Sequence, residues 1–353
     1  MNELRIISLP GTMTYLMDTN IVKKWFIKHR RQFPWRQKLS PYHVWVSEVM
    51  LQQTLAKVVV PYFERWMEQF PTVEALAEAD PKTVIKAWEG LGYYSRARNL
   101  QAGAKQIVEE FNGQLPNNFT NLKKIKGIGD YTAGAILSFA FQNKAAAVDG
   151  NVIRVMTRLF ALEEDISQPK TVKMIRNQVE NFLPDEKPWL VMEGLIELGA
   201  TVCRKKPECG KCPLRDHCQA YFQGLEKELP YKSQKIRYEK LTRTVFVLKC
   251  GDSLLLKLPK KGEIMEDLYE FPYVERGKKR EWIKRWNLEG GSQLKTVNHS
   301  FTRYRVCLHP EMYEIDSQLE VEGCEWFKRD EVEKLSFSSG HRRVLQQIPV
   351  GLQ

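Results

Sequence analysis

The chain has 353 residues, 43% of them apolar and 11% aromatic, which is enough for two cores and long for one. Its formal charge of +11 favours a polyanionic partner, because neutralising phosphates releases counterions; ordinary solubility charge is the plainer account. No apolar run approaches the roughly 20 residues of a membrane span. The opening MNELRIISLPGTMTYLMDTN lacks the basic region, apolar core and cleavage site of an export signal, so a cytoplasmic chain is expected. The seven cysteines are an odd number, and four fall between Cys203 and Cys218, which argues for metal-binding thiolates rather than disulfides.

In chain order, residues from about Asp18 to Ala220 carry helical periodicity. Asp18 or Thr19 can cap a first helix in which Ile21, Val22, Trp25, Phe26 and His29 recur at helical spacing. Phe33-Pro34-Trp35, Phe70-Pro71-Thr72 and Asp80-Pro81 break the stretches that follow. Residues 222–239 are polar, basic and interrupted by Pro230, as suits a linker. From Leu241 the pattern turns to β: Thr242, Thr244, Phe246 and Leu248 alternate with Arg243, Val245, Val247 and Lys249, and Leu254-Leu255-Leu256 follows a turn. Residues 278–287 read as helix and 303–316 as strand. The expectation is a mainly α N-terminal domain (1–221), a linker (222–239) and an α+β C-terminal domain (240–353).

Within the first domain, Val44 to Thr54 is largely apolar with Glu48 in its midst. Such a Glu usually faces solvent; if buried, desolvation raises its pKa and makes it a candidate general acid. Asp149, in Val148-Asp149-Gly150-Asn151, precedes a helix, where an Asp is most often an N-cap. Leu122 to Ala135 joins a short helix to a longer one through Gly127-Ile128-Gly129, two glycines that allow positive φ and close backbone approach. The amides of such a turn, leading into a helix N-terminus, form an anion site; a glycine-ended helix followed by another is the bland account. Cys203, Cys209, Cys212 and Cys218 have the spacing C-x5-C-x2-C-x5-C, able to enclose one zinc or one iron–sulfur cube. Lys205, Lys206, Lys211 and Arg215 around that loop are either phosphate contacts or a solvated charge run, and Cys250, Cys307 and Cys324 read as buried thiols.

SEVMLQQT (47–54), GLGYYSRARNL (90–100), GIGDYTAGAI (127–136), VDGN (148–151) and the cysteine loop occur in the order and at about the intervals of the MutY family. Over roughly residues 20–220 the chain closely resembles these adenine DNA glycosylases of the helix-hairpin-helix (endonuclease III) superfamily. The resemblance implies a [4Fe–4S] cluster on the four cysteines, although the family's first spacing is one residue longer. It also implies duplex DNA with adenine mispaired with 8-oxoguanine or guanine as substrate, in a monomeric, nucleoid-associated bacterial enzyme. Glu48 then protonates the departing adenine, while Asp149, oriented by Asn151, stabilises the oxocarbenium-like sugar, directly or through a covalent intermediate. Tyr131 stands where lyase-competent relatives carry a lysine, so no Schiff base can form there and a monofunctional enzyme follows; its hydroxyl can instead support Asp149. Glu193 matches an adenine-binding position, though a helix Glu is as often exposed. Gln53, Thr54 and Tyr93 match positions that fill or wedge the stack once adenine is flipped out, with core packing the plain reading for one of Tyr93 and Tyr94.

The resemblance continues more weakly into the second domain. Gly262 to Pro272 resembles the segment opening a MutT-like (Nudix) domain, but Leu268 replaces the first glutamate a working hydrolase needs, so a recognition module without chemistry is expected. Where the family reads 8-oxoguanine with Phe-Ser-His, this chain has Phe301-Thr302-Arg303. Thr302 keeps a hydroxyl, whereas Arg303 offers only donors and suits a phosphate or base edge. Two other functions compete: a pyrimidine-specific glycosylase/lyase, disfavoured by Tyr131, and a non-catalytic damage sensor, disfavoured by the Glu48–Asp149 pair.

Overall fold

A helix that is apolar on every side can be stable only if it is surrounded, and two such helices organise the helical N-terminal part of the chain. The computed structural model describes residues 4–8, 14–234, 237–258, 260, 262 and 265–349. They divide into two compact units, one drawn from Met1–Glu78 and Ala102–Lys235, the other from Ala79–Gln101 and Ile236–Gln353.

The first unit opens with an antiparallel hairpin for which the sequence carried no reading, β1 (Leu4–Ser8) against β2 (Thr14–Asp18). Helix α1 (Asn20–His29) follows; Thr19 precedes it without a side-chain cap, and the Asp18 carboxylate accepts from the Asn20 amide at 3.0 Å. Helix α2 (Pro41–Leu51) has its cap at Ser40, whose hydroxyl accepts from the His43 amide, and is buried without a break from Val44 to Met50. Amphipathic α3 (Ala56–Gln69) turns Val59, Phe63 and Trp66 inward. Helix α4 spans Val73–Glu78, α5 (Pro81–Ala87) lies in the other unit, and α6 (Ser95–Phe111) runs from that unit into this one. Beyond it come α7 (Phe119–Leu122), α8 (Asp130–Ala135, continuing as a π-helical turn to Ala140), α9 (Gly150–Leu159), α10 (Pro169–Phe182), α11 (Pro188–Thr201) and α12 (Gln219–Gln223). The second all-round apolar helix is α11, which packs on α1 and α9.

Of the two hairpin glycines only Gly127 has a left-handed backbone, at φ +83°. Gly129 caps α8 at φ −88° with no atom within 4 Å of where a Cβ would stand, so it leaves open space rather than making the turn. Gly199 is a close-approach residue: a Cβ there would lie 2.6 Å from the Asn151 Cβ and 2.8 Å from its carbonyl oxygen.

The second unit is a mixed sheet in the order β6-β8-β3-β4-β9, with β5 also on β3 and β7 on β8. Its strands are β3 (Glu239–Cys250), β4 (Ser253–Lys257), β5 (Tyr273–Glu275), β6 (Ser292–Gln293), β7 (Val297–Phe301), β8 (Tyr304–Glu314) and β9 (Cys324–Lys328). Strands β3 and β8 run parallel, from Glu239 opposite Tyr304 to Lys249 opposite Glu314. The alternation in β3 does not separate core from solvent. Val245 and Val247 enter one apolar cluster and Phe246 and Leu248 another, so both faces are covered. Helices α13 (Lys279–Arg285), α14 (Arg329–Lys334) and α15 (Ser339–Leu345) complete the unit. Of the segment 262–272 singled out by sequence, residues 263 and 264 lie outside the described residues.

Gly199→Ala should destabilise the protein by about 1–3 kcal/mol, since backbone rather than a flexible side chain must move. Thermal unfolding should show a midpoint several degrees lower, whereas Gly277→Ala, where a Cβ meets nothing within 4 Å, should leave it in place.

Candidate active site

Helix α2, the turn after it, the start of α8, the start of α9 and the middle of α11 surround a cleft of about 620 Å³ lined by Glu48, Gln53, Thr54, Tyr131, Asp149, Asn151 and Glu193, among others. That volume lies within the roughly 300–1,000 Å³ usual for small-molecule sites. Seven sequence-selected residues of the first unit therefore share one cavity.

Glu48 is only 7% exposed. The Tyr131 hydroxyl donates to its Oε2 at 2.5 Å. Burial pushes the Glu48 carboxyl up to about 7, with the Tyr131 hydrogen bond pulling the other way. A carboxyl balanced between its two forms at neutral pH can both hold and release a proton, which is what a general acid must do. The Tyr131 phenol is itself held protonated, well above its ordinary range, by burial and by the neighbouring Glu48 and Asp149. Its partner is therefore Glu48, which corrects the expectation that it would support Asp149.

Asp149 caps α9. Its Oδ1 accepts from the amides of Asn151 (2.9 Å) and Val152 (2.8 Å), and its Oδ2 from the Asn151 side-chain amide at 2.7 Å. Burial raises its carboxyl above the ordinary aspartate value despite these three donors. The capping and catalytic readings of Asp149 therefore describe one arrangement, in which the cap fixes the carboxylate at the wall of the cleft.

The sequence reading missed the cations. Arg36 donates through Nε to Glu193 Oε2 (2.9 Å) and through Nη2 to Glu197 Oε2 (3.1 Å), and Arg31 Nε donates to Glu197 Oε1 at 2.5 Å. Burial raises the Glu193 carboxyl while Arg36 lowers it. The available signal was Glu193 and Glu197, one turn apart on an otherwise apolar helix, since buried carboxylates need cations.

Arg154 was missed as well. Its guanidinium donates to Asn151 Oδ1 (2.8 Å), the Gly199 carbonyl (2.7 Å) and the Cys203 carbonyl (2.6 Å), tying the residue that orients Asp149 to the start of the cysteine loop. Cys203, Cys209, Cys212 and Cys218 line one small cavity beside Arg158, whose Nη1 donates to Cys203 Sγ at 3.4 Å. All seven cysteines are free thiols. Burial lifts Cys212 to about 12 and Cys218 to about 11, so thiolates there require a cation among them. The four soft ligands line one cavity, yet among the described residues no group of three or more His, Cys, Asp or Glu is drawn together closely enough to hold a single metal ion, which fits a larger iron–sulfur cube better than a tetrahedral zinc.

The other selected residues are placed as follows. Gln53 is exposed in the turn after α2, at φ +57°. Gly127 makes the α7–α8 turn of the first unit and Gly129 caps α8. In the second unit Tyr93 is 44% exposed at φ +49°, while Tyr94 is half-buried and donates to the Phe337 carbonyl at 3.3 Å. Phe301 ends β7, packed against His299 and Tyr304, and Thr302 sits in the β7–β8 turn at φ +48°. Arg303 pairs with Glu239 at 3.0 Å, a partner within its own unit that the sequence reading did not foresee. Lys211 and Arg215 pair with Glu208 and Asp216, and Lys205 and Lys206 are exposed. Cys250, Cys307 and Cys324 are half-buried rather than buried, Cys307 lying 3.4 Å from His309 Nε2.

A family model of the HhH-GPD superfamily of base excision DNA repair proteins matches residues 46–184, and a NUDIX-domain model matches residues 244–347. The adenine DNA glycosylase of Buchnera aphidicola subsp. Baizongia pistaciae is 32% identical over 290 residues, covering 81% of each chain. The human adenine DNA glycosylase is 40% identical over 214 residues, 58% of this chain and 39% of the human one. Among solved structures, a thermostable thymine-DNA glycosylase aligns with a TM-score of 0.53 at 26% identity, covering 58% of this chain and 95% of its own. An endonuclease III trapped covalently on DNA aligns at 0.51 and 24% identity, over 59% of this chain and 95% of its own, a likeness of fold. A helix-hairpin-helix unit with two carboxylates in one cleft and an appended NUDIX-like α+β unit, this chain belongs to the adenine DNA glycosylases, the base excision repair enzymes that hydrolyse the N-glycosidic bond of adenine.

Proposed function

We propose that the enzyme is monofunctional and acts on adenine mispaired with 8-oxoguanine, and with guanine, in duplex DNA. The observation that carries this reading is Glu48 and Asp149 in one cleft, the first protonatable near neutral pH and the second fixed by three donors. Adenine flipped from the stack enters the cleft, where Glu193 and its Arg36 partner supply polar contacts. Glu48 passes its proton to the departing base as the bond to the sugar breaks, and the bonding electrons leave with adenine. Asp149 stabilises the positive charge left on the sugar, a water adds there, and its proton leaves to a carboxylate. Tyr131 offers no amine, so the abasic product stays uncut. Phe301 and Thr302 contact the damaged guanine, and Gln53, Thr54 and Tyr93 fill or wedge the disturbed stack.

The same reading gives the four cysteines a [4Fe–4S] cluster. Support comes from their shared cavity, the absence of disulfides, and a loop in which, among the described residues from 203 to 218, only Leu214 is buried. When bound, the cluster supplies a covalent tie for that loop, and Arg158 balances charge at Cys203. Purified protein should absorb near 400 nm and contain iron and acid-labile sulfide in equal amounts; stoichiometric zinc instead would rule the cluster out.

Single-turnover adenine release is the direct test. Asp149→Asn should abolish it and Glu48→Gln should slow it by about 10²–10⁴-fold. Strand breaks should appear only after alkali, and rates should be higher opposite 8-oxoguanine than opposite guanine. An unchanged rate in Asp149→Asn would sink the mechanism.

The pH profile gives an independent check. Glu48 acts in its protonated form, so the rate should fall as pH rises through about 7. The Tyr131 hydrogen bond favours the ionised form, so Tyr131→Phe should move this alkaline limb to higher pH; a downward move would mean the hydroxyl does not act through Glu48.

A further inference from the structure

Residues 79–101 cluster with the NUDIX-like unit, and Glu89 fastens them together with Lys86, Tyr94 and Arg98. Glu89 Oε1 accepts from Arg342 Nε (2.7 Å) and the Phe337 amide (3.0 Å), and its Oε2 accepts from Arg342 Nη2 (3.0 Å) and Lys86 Nζ (2.8 Å). A half-buried carboxylate with four donors, one guanidinium among them in a two-pronged grip, is a well-determined joint. Five residues on, Tyr94 closes the same loop, donating to the Phe337 carbonyl and accepting from the Gly90 amide, both at 3.3 Å. Between these two fastenings stands Tyr93, in a left-handed backbone that costs a non-glycine residue about 1–2 kcal/mol. Trp88 and Arg96 hold it there, both donating to the Gly92 carbonyl.

The other side of the joint leads to the turn at Thr302. Arg342 lies on α15, and its neighbour Arg343 donates to the Asn298 carbonyl in β7 at 2.7 Å. Gly340 of α15 is packed so closely on His299 that a Cβ would lie 2.6 Å from the ring. His299 lies against Phe301 in turn, the rings tilted by 37° at a centroid separation of 5.6 Å. Rigid, contiguous packing thus runs from Phe301–Thr302 through β7 and α15 to Glu89 and the Tyr93 loop, all within one unit.

We propose that Glu89, through Arg342 and helix α15, positions the Tyr93 loop in response to the base held at Phe301–Thr302, making Glu89 a positioning residue for lesion specificity. The inference rests on the proposed contacts of Tyr93 and Thr302 with DNA. A close-packed interior transmits a displacement rather than absorbing it, so the loop can respond only if this joint is intact. Glu89 does not line the catalytic cleft, and the chemical step itself does not need it.

The experiment is a double-mutant cycle on the full-length enzyme, reading the ratio of single-turnover rates opposite 8-oxoguanine and opposite guanine. Thr302→Ala should lower the ratio, and Glu89→Gln should lower it by about fivefold or more while the rate opposite guanine is kept. The double variant should be no worse than the poorer single, because both changes cut one path. Exchanging the charges, Glu89→Arg with Arg342→Glu, should recover part of the ratio, and melting curves will show whether Glu89→Gln remains folded. If Thr302→Ala lowers the ratio but Glu89→Gln does not, or the two effects simply add, the coupling is overturned and the lesion reading stands. If Thr302→Ala itself changes nothing, the lesion reading falls and takes the coupling with it.

Discussion

The cost of burying a carboxylate governs this enzyme. Helices α2 and α11 must be apolar on every side to sit inside the first unit, yet between them they carry Glu48, Glu193 and Glu197. An ionised carboxylate in such surroundings must find a cation, accept hydrogen bonds or take up a proton. All three outcomes occur within one cleft. Glu197 and Glu193 are met by Arg31 and Arg36. Asp149 is met by backbone and amide donors. Glu48 receives one phenol and feels Arg36 only through its charge, so burial dominates and its proton stays on until about neutral pH. In the proposed mechanism the acid and the charge stabiliser differ because their partners differ, not their residue class.

The same economy of donors joins parts of the fold that the sequence keeps far apart. Asp149 is fixed by Asn151, Asn151 by Arg154, and Arg154 by the carbonyls of Gly199 and Cys203. A missing side chain at Gly199 lets α11 approach Asn151 closely enough for that bridge. Loss of order at the cysteine loop would therefore be felt first at the orientation of Asp149, although no cysteine lines the active cleft.

Local chemistry was legible in the sequence; long-range pairing was not. By pattern alone Glu48 was a candidate acid only if buried and Asp149 an N-cap; the family resemblance supplied their roles, and the structure shows Glu48 buried and both side chains lining one cleft. The four cysteines declared themselves by spacing alone. Arg31, Arg36, Arg154 and Arg158 did not, since an arginine reads as surface until its carboxylate or carbonyl partner, often more than 40 residues away, is known. Tyr131 was placed in the right cleft but on the wrong carboxylate, because two acids in one cavity compete for one hydroxyl and only geometry decides between them. In β3 the apolar residues of both registers are covered; a strand at the centre of a sheet packed on both faces is buried on both sides, whatever its polar punctuation.

Backbone strain offers a further reading of where recognition happens. Among the described residues, nine non-glycine residues have positive φ, and three of them are Gln53, Tyr93 and Thr302, the side chains expected to meet the disturbed base pair. Glycine would relieve each of these turns at no steric cost, whereas a side chain there costs about 1–2 kcal/mol. The strain is tolerable only where surrounding structure over-determines the conformation: α2 and the start of α3 flank Gln53, the Trp88 and Arg96 bonds hold the Tyr93 loop, and the β7–β8 pairing brackets Thr302. A wedge must resist the stack it enters, and a flexible glycine turn carrying no side chain could neither enter nor resist. Strained but braced turns suit such a task.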